Sequence, residues 1–112
     1  MTKQSFILFF TLFILIATPV FGQKKSTVEK YLEKIGLQRV SKEIPGIDVY
    51  MAYATTYNFI GRVLYKDINE AYLVSDAMEK LKKANETLLK KRLDLHLVVY
   101  DAARPRYIQE QM

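Results

Sequence analysis

An apolar run near the N-terminus sets how much of this chain is available to fold. Residues 6–17 are almost wholly apolar, and Lys3 is the only charged residue among the first 23. A run of this length is too short to span a bilayer as a helix, which takes about 20 residues. A basic start, a short apolar core and small residues at its end are typical of a secretory signal. We therefore predict a signal peptide over residues 1–22, cleaved after Gly22, with an uncleaved membrane anchor as the alternative.

The predicted mature chain is small and has no disulfide to stabilise it. It has 90 residues, 16 basic and 12 acidic side chains and no cysteine, so its stability depends on its core alone. Its net charge of +4 is modest, and the lysines alternate with acidic residues. Nucleic-acid-binding proteins concentrate basic residues on one face, so nucleic acid is not expected as a partner.

We expect the protein in the periplasm or cell envelope, without a stable membrane anchor once the signal is cleaved.

Two helices can be predicted from local patterns. Ser26 and Glu29 have the spacing of a capping box, which predicts a helix over about 27–35 that Gly36 ends. A longer amphipathic helix is predicted over about 70–91. Its predicted packing face consists of residues at steps of three and four: Leu73, Ala77, Leu81, Ala84 and Leu88.

Between and after these helices the pattern changes to that of strands and loops. Residues 47–53 are rich in strand formers, and the apolar run at 95–100 predicts a strand covered on both faces. Residues 54–66 have no clear period, so we predict a folded surface loop. Residues 107–112 begin a helix too short to be stable alone. We therefore expect residues 23–112 to be the N-terminal part of a larger domain that is truncated at its C-terminus.

The loop contains two residues with conformational preferences of their own. Asn58 and Gly61 suit positions that need a positive φ or a local side-chain hydrogen bond.

The residues of this chain exclude several kinds of catalytic site. His96 is the only histidine and there is no cysteine, so the chain alone predicts no metal site and no nucleophilic triad. A single histidine in a strand is more often a packed, hydrogen-bonded residue than a ligand, and we expect that here. No glycine pattern indicates a phosphate-binding loop.

Arg104 is the candidate functional residue. It lies just beyond the strand predicted at 95–100, between Ala103 and Pro105, where loops present functional groups. A guanidinium in that place can bind a carboxylate or stabilise an oxyanion. It can equally be a structural residue paired with Asp101 across the turn, and local features do not decide between the two.

Two segments resemble a known enzyme family. Residues 53–61 contain an Asn-Phe-x-Gly element, and residues 98–105, followed by Gln109, contain an Asp-x-x-Arg-Pro element. In this order, with a helix between them, they resemble the front half of the zinc D-alanyl-D-alanine dipeptidases of the VanX type. The resemblance covers roughly residues 30–112.

The resemblance implies an α+β fold of the hedgehog/DD-peptidase type, incomplete here, with helices packed on a small mixed or antiparallel sheet. It implies a zinc metallopeptidase that hydrolyses the D-Ala-D-Ala dipeptide, with Arg104 as the catalytic residue that stabilises the oxyanion. The family's metal motifs, Ser-x-His-x-x-Gly-x-x-x-Asp and Glu-x-x-His, would lie beyond Met112, so this chain alone is expected to be inactive. This chain has Ala103 where well-known members often have Tyr, so it lacks that phenol.

Two alternatives remain. One is a DD-carboxypeptidase of the same superfamily, which trims a longer peptidoglycan stem. The other is a short, non-catalytic envelope protein that binds peptidoglycan peptides. The roles of Asp101, Asn58 and His96 and the oligomeric state stay open.

Overall fold

The computed structural model describes residues 24–112, so the predicted signal peptide lies outside the described residues. The described chain is an α+β domain with four helices and four short strands. The helices are α1 (Thr27–Lys34), α2 (Val40–Glu43), α3 (Ser75–Lys91) and α4 (Arg106–Gln109). The strands are β1 (Gln38–Arg39), β2 (Asp48–Val49), β3 (Tyr72–Leu73) and β4 (Val98–Val99), and a 3₁₀ turn covers Ala52–Ala54. None of these helices is both long and apolar enough to cross a membrane.

The strands form two separate pairs. β1 pairs with β3 antiparallel, and β2 pairs with β4 parallel, with Asp48 opposite Val98 and Val49 opposite Val99. The strand predicted over 47–53 is therefore too long. After β2 the backbone still bonds to the β4 segment, since the Ala52 amide donates to the Tyr100 carbonyl at 3.1 Å. The chain then turns into the 3₁₀ segment.

The prediction that the strand at 95–100 is covered on both faces is wrong. Leu97 and Val99 pack against the core, whereas Val98 and Tyr100 are 38% and 56% exposed. A continuous apolar run indicates local hydrophobicity, but it does not determine how many layers cover a strand. In residues 24–112 this strand has one covered face.

Helix α1 begins and ends as predicted. The Ser26 side chain accepts from the Glu29 amide at 3.1 Å, and the Glu29 carboxylate accepts from the Ser26 amide at 3.4 Å. Glu29 also accepts from the Asn69 amide at 3.0 Å, and the Ser26 hydroxyl donates to the Asp67 carbonyl. Gly36 follows the helix with a φ of 99°, a conformation that glycine adopts without strain. The capping box therefore also fastens α1 to residues 67–69.

Helix α3 is rotated from its predicted orientation and begins later, at Ser75. Ala84, predicted to pack, is exposed, and Met78 and Asn85 are the buried residues of the helix. The stripe that faces the protein consists of Met78, Leu81, Asn85 and Leu88. The spacing of apolar residues placed Ala77 and Ala84 on the packing face. It does not predict that the polar residue Asn85 is buried.

The core is built mostly from residues outside the long helix. The buried cluster consists of Val40, Ile44, Ile47, Met51, Leu64, Tyr65, Ile68, Ala71, Met78 and Ile108. The segment 54–66 is a loop as predicted, but it does not stay on the surface. Its end inserts Leu64 and Tyr65, which are 4% and 1% exposed. Ile108 brings α4 onto the same core.

Candidate functional site

The parallel pairing of β2 with β4 brings together the segments 53–61 and 98–105, which contain the Asn-Phe-x-Gly and Asp-x-x-Arg-Pro elements. Two parallel strands end at the same edge of their sheet, so the residues after β2 and after β4 become neighbours. Tyr53 follows β2 and Arg104 follows β4. The Arg104 guanidinium carbon lies 4.9 Å from the centroid of the Tyr53 ring.

Arg104 is held from one side by an aspartate and a tyrosine. Its Nη2 donates to Asp101 Oδ2 at 2.5 Å, and its Nε donates to the Tyr65 hydroxyl at 3.3 Å. The Tyr65 hydroxyl in turn donates to Asp101 Oδ1 at 2.6 Å. The three side chains close a ring of hydrogen bonds, and its position is fixed because Tyr65 is part of the core. Arg104 is thus paired with Asp101 across the turn, which was the structural alternative left open by the sequence. The catalytic role of Arg104 stays a prediction.

The surroundings of Arg104 and Tyr65 favour the protonated form of each side chain. The hydrogen bond to the Asp101 carboxylate raises the pKa of Arg104 above its ordinary value. Burial raises the pKa of Tyr65, and its hydrogen bond to Asp101 raises it further. Arg104 is therefore a cation and Tyr65 a neutral hydroxyl across the pH range in which proteins function.

The other side of the guanidinium faces the exposed Gln109 and Met112, which is partly buried and packs against the core. Nη1 donates to Gln109 Oε1 at 2.7 Å and lies 2.8 Å from Met112 Sδ. Gln109 is the last residue of α4, and its side chain is exposed. Pro105 precedes the helix in an extended conformation, as expected for a proline at a helix start. The arginine site, defined as Tyr53, Tyr65, Asp101, Arg104 and Gln109, is therefore closed inward and accessible outward.

Asn58 organises the loop at 54–66, which follows Tyr53 and contains Tyr65. Its Nδ2 donates to the Thr55 and Arg62 carbonyls at 2.8 and 2.9 Å, and its Oδ1 accepts from the Ile60 and Gly61 amides, both at 3.0 Å. Its φ is not positive, so the local hydrogen bonds are the part of the prediction that is confirmed. Gly61 does have a positive φ of 77°. The loop is thereby fixed between Tyr53 and Tyr65.

The prediction for His96 is half right. Its Nε2 is hydrogen-bonded to Asp48 Oδ2 at 2.5 Å, but its side chain is 55% exposed and not packed. In residues 24–112 no group of three potential metal ligands comes together. Zinc needs three or four such ligands. The described residues therefore do not fit a zinc site.

An apolar groove of about 860 Å³ runs between α1 and α4 beside the arginine site. One wall is formed by Val28, Tyr31, Leu32 and Ile35, and the other by Ala103, Arg104, Pro105 and Tyr107. No sequence prediction covers this groove. A signal was present, because Tyr31 and Ile35 are apolar residues one turn apart, and they are 60% and 53% exposed.

Tyr65 is the member of the arginine site that the sequence did not indicate. It is one of eight tyrosines, it lies outside both resembling segments, and nothing in its neighbourhood suggests a polar partner. Gln109 was noted only as part of a motif. Both belong to the site because they contact Arg104, which lies 39 positions from Tyr65 and 5 positions from Gln109.

Comparison with known proteins adds no relative. No protein-family model, curated protein or solved structure matches the chain. The likeness to the dipeptidases therefore depends on the two segments at 53–61 and 98–105 and stays a prediction.

Proposed function

We propose that this chain contributes the arginine-bearing part of the substrate site of an exported D-Ala-D-Ala dipeptidase of the cell envelope. One observation supports this above others: the two resembling segments meet at Arg104, whose guanidinium lies against Tyr53 and is held by Asp101. A guanidinium fixed from one side and reachable from the other is suited to an oxyanion or carboxylate.

In this proposal the residues of the chain have distinct tasks. Arg104 stabilises the negative charge that develops on the carbonyl oxygen of the scissile peptide bond, and Asp101 and Tyr65 keep its guanidinium in place. Because the group is fixed before the substrate arrives, little reorganisation is needed during the reaction. Removal of one such stabiliser typically slows a reaction by about 10²–10³-fold.

Zinc is the cofactor that the resemblance implies. Since residues 24–112 do not fit a zinc ion, the ligands would have to come from residues beyond Met112. The chain by itself is proposed to bind the dipeptide without hydrolysing it.

A binding experiment tests the role of Arg104 directly. The mature chain, residues 23–112, is titrated with D-Ala-D-Ala and followed by NMR, with an expected dissociation constant on the order of 1 mM. Arg104→Ala should abolish the response. Arg106→Ala is the matched control, because this arginine is two residues away and its side chain is 94% exposed. Equal binding by Arg104→Ala and the unaltered chain would contradict the proposal.

A second experiment tests the enzyme class. The gene is sequenced beyond codon 112 and read in all frames for the Ser-x-His-x-x-Gly-x-x-x-Asp and Glu-x-x-His motifs. If they are present, the encoded protein is expected to hydrolyse D-Ala-D-Ala with zinc, and Arg104→Ala should fold, bind zinc and be slowed about 10²–10³-fold. Absence of both motifs in every frame would reject the dipeptidase.

The apolar groove favours a second candidate. It is much larger than a dipeptide and shares Arg104 with the arginine site, so it can accept a longer peptidoglycan stem peptide. That would fit a DD-carboxypeptidase or a non-catalytic binding protein. A stem pentapeptide that binds at least tenfold more tightly than D-Ala-D-Ala would favour this candidate over the dipeptidase.

A further inference from the structure

The N–H groups of Arg104 are held by two different sets of partners. A guanidinium has five N–H donors. Nε is directed at Tyr65 and one N–H of Nη2 at Asp101, whereas Nη1 contacts Gln109 and Met112.

The two sets differ in how firmly they are placed. The Tyr65 side chain is 1% exposed, and the Asp101 side chain is 25% exposed and bonded to Tyr65. Gln109 is exposed, and its side chain has no other hydrogen bond among the described residues. Its amide can therefore rotate into solvent without breaking any side-chain hydrogen bond except the one with Arg104.

The contact from Gln109 is also chemically weaker than the one a ligand would make. Its Oε1 is a neutral acceptor, whereas a carboxylate or a tetrahedral oxyanion has a full negative charge, and charge-assisted hydrogen bonds are about twice as strong. Met112 contributes only a thioether sulfur, which is a weak acceptor.

We propose that Gln109 is a displaceable cap on the arginine site, and that a ligand carboxylate or oxyanion binds Nη1 of Arg104 in place of Gln109 Oε1. The inference depends on the proposed function, in which Arg104 receives such an oxygen. Arg104 itself does not move, because Asp101 and Tyr65 hold its other N–H groups. Because the ligand binds only molecules in which the cap is open, the apparent affinity equals the intrinsic affinity multiplied by the open fraction.

Two substitutions should change ligand affinity in opposite directions. Gln109→Ala removes the cap and should tighten binding about 3- to 10-fold, the value of one ordinary hydrogen bond. Gln109→Glu places a carboxylate on the guanidinium and should weaken binding by about tenfold or more. Gln111→Ala is the control, because this exposed glutamine follows α4 and is not among the hydrogen-bond partners of Arg104.

The experiment uses two probes on the mature chain, with circular dichroism to confirm that each variant is folded. Acetate, the simplest carboxylate, reports whether Nη1 is available, and the Nε–H resonance of Arg104 follows it by NMR. D-Ala-D-Ala reports on the proposed substrate. For acetate we expect Gln109→Ala to bind most tightly, the unaltered chain and Gln111→Ala to bind equally, and Gln109→Glu to bind least.

The outcomes separate the cap from the function. If acetate follows the expected order but D-Ala-D-Ala does not bind, the cap stands and the dipeptidase proposal fails. If Gln109→Ala binds acetate more weakly than the unaltered chain, equally well or not at all, the cap is rejected, whatever D-Ala-D-Ala does.

Discussion

The Tyr53 ring lies 4.9 Å from the guanidinium carbon of Arg104, and this contact joins two segments that are about 50 residues apart in the sequence. The ring blocks one face of the guanidinium and leaves its edge for polar partners. Cation–π contacts of this kind contribute about 0.5–2 kcal/mol. Tyr53 therefore takes part in orienting Arg104 as well as in packing.

The first prediction concerns this contact. Tyr53→Leu keeps apolar volume but removes the ring, so we expect D-Ala-D-Ala to bind about 3- to 10-fold more weakly. Tyr53→Phe keeps the ring and should bind like the unaltered chain. Titration of both variants by NMR checks this, and equal affinities for Leu and Phe would show that the ring does not orient Arg104.

The second prediction concerns the carboxylate of Asp101. Asp101→Asn leaves the charge of Arg104 without its closest partner, and we expect a loss of about 1–3 kcal/mol in the free energy of unfolding, measured in urea. Asp94→Asn provides the comparison. Asp94 pairs with Arg92 at 2.7 Å, but on the surface, where solvent screens the pair and little change is expected. Similar effects for both variants would mean that the ring of hydrogen bonds is no stronger than a surface pair.

The third prediction concerns Asn58. Asn58→Ala removes its side-chain bonds to the loop backbone and should cost about 2 kcal/mol of stability. The backbone amides of Ile60 and Gly61 should then exchange with solvent faster, because Asn58 Oδ1 is a principal acceptor for both. Hydrogen exchange followed by NMR measures this. Asn58→Asp keeps the acceptor oxygen, so it should protect these two amides, and failure to do so would contradict the assignment.

The fourth prediction concerns alkaline pH. Burial raises the pKa of Tyr72 to about 12, and burial together with Asp101 raises the pKa of Tyr65. A raised pKa in the folded state means that the stabilisation is complete below the ordinary tyrosine pKa of 10.0 and is lost as the pH rises through the folded value. We therefore expect the free energy of unfolding to fall from about pH 10 upwards.

Tyrosinate absorbance checks the same point independently. Tyr65→Phe and Tyr72→Phe should each flatten the fall in stability and remove a late-ionising tyrosine from the titration curve. Tyr57→Phe, at a side chain that is 80% exposed, is the comparison for the removal of a tyrosine hydroxyl. If Tyr65→Phe and Tyr72→Phe both leave the fall in stability unchanged, other groups cause it.

The sequence predicted features whose causes are local. The capping box of α1 needs only Ser26 and Glu29, and the long helix needs only its repeat. The position of Arg104 was also predictable, because Pro105 fixes its backbone and a strand precedes it. These features depend on residues close together in the chain.

Features that depend on distant residues were not predictable. The rotation of α3 follows from the burial of Asn85, and the covering of β4 depends on which elements surround it. Tyr65 joins the arginine site only because the loop at 54–66 returns to the core after Asn58 has fixed its shape. No local pattern at Tyr65 reveals a partner 36 residues further along the chain.

The uncovered side of the β2–β4 pair affects how the protein behaves at high concentration. Tyr50, Val98 and Tyr100 present apolar surface to solvent there, beside strand edges that lack a further neighbour among the described residues. Exposed apolar surface favours association between molecules, and an unpaired strand edge can form backbone hydrogen bonds with another molecule. The molecules should therefore associate, and light scattering should rise with protein concentration. Val98→Lys should suppress this association and leave the arginine site intact.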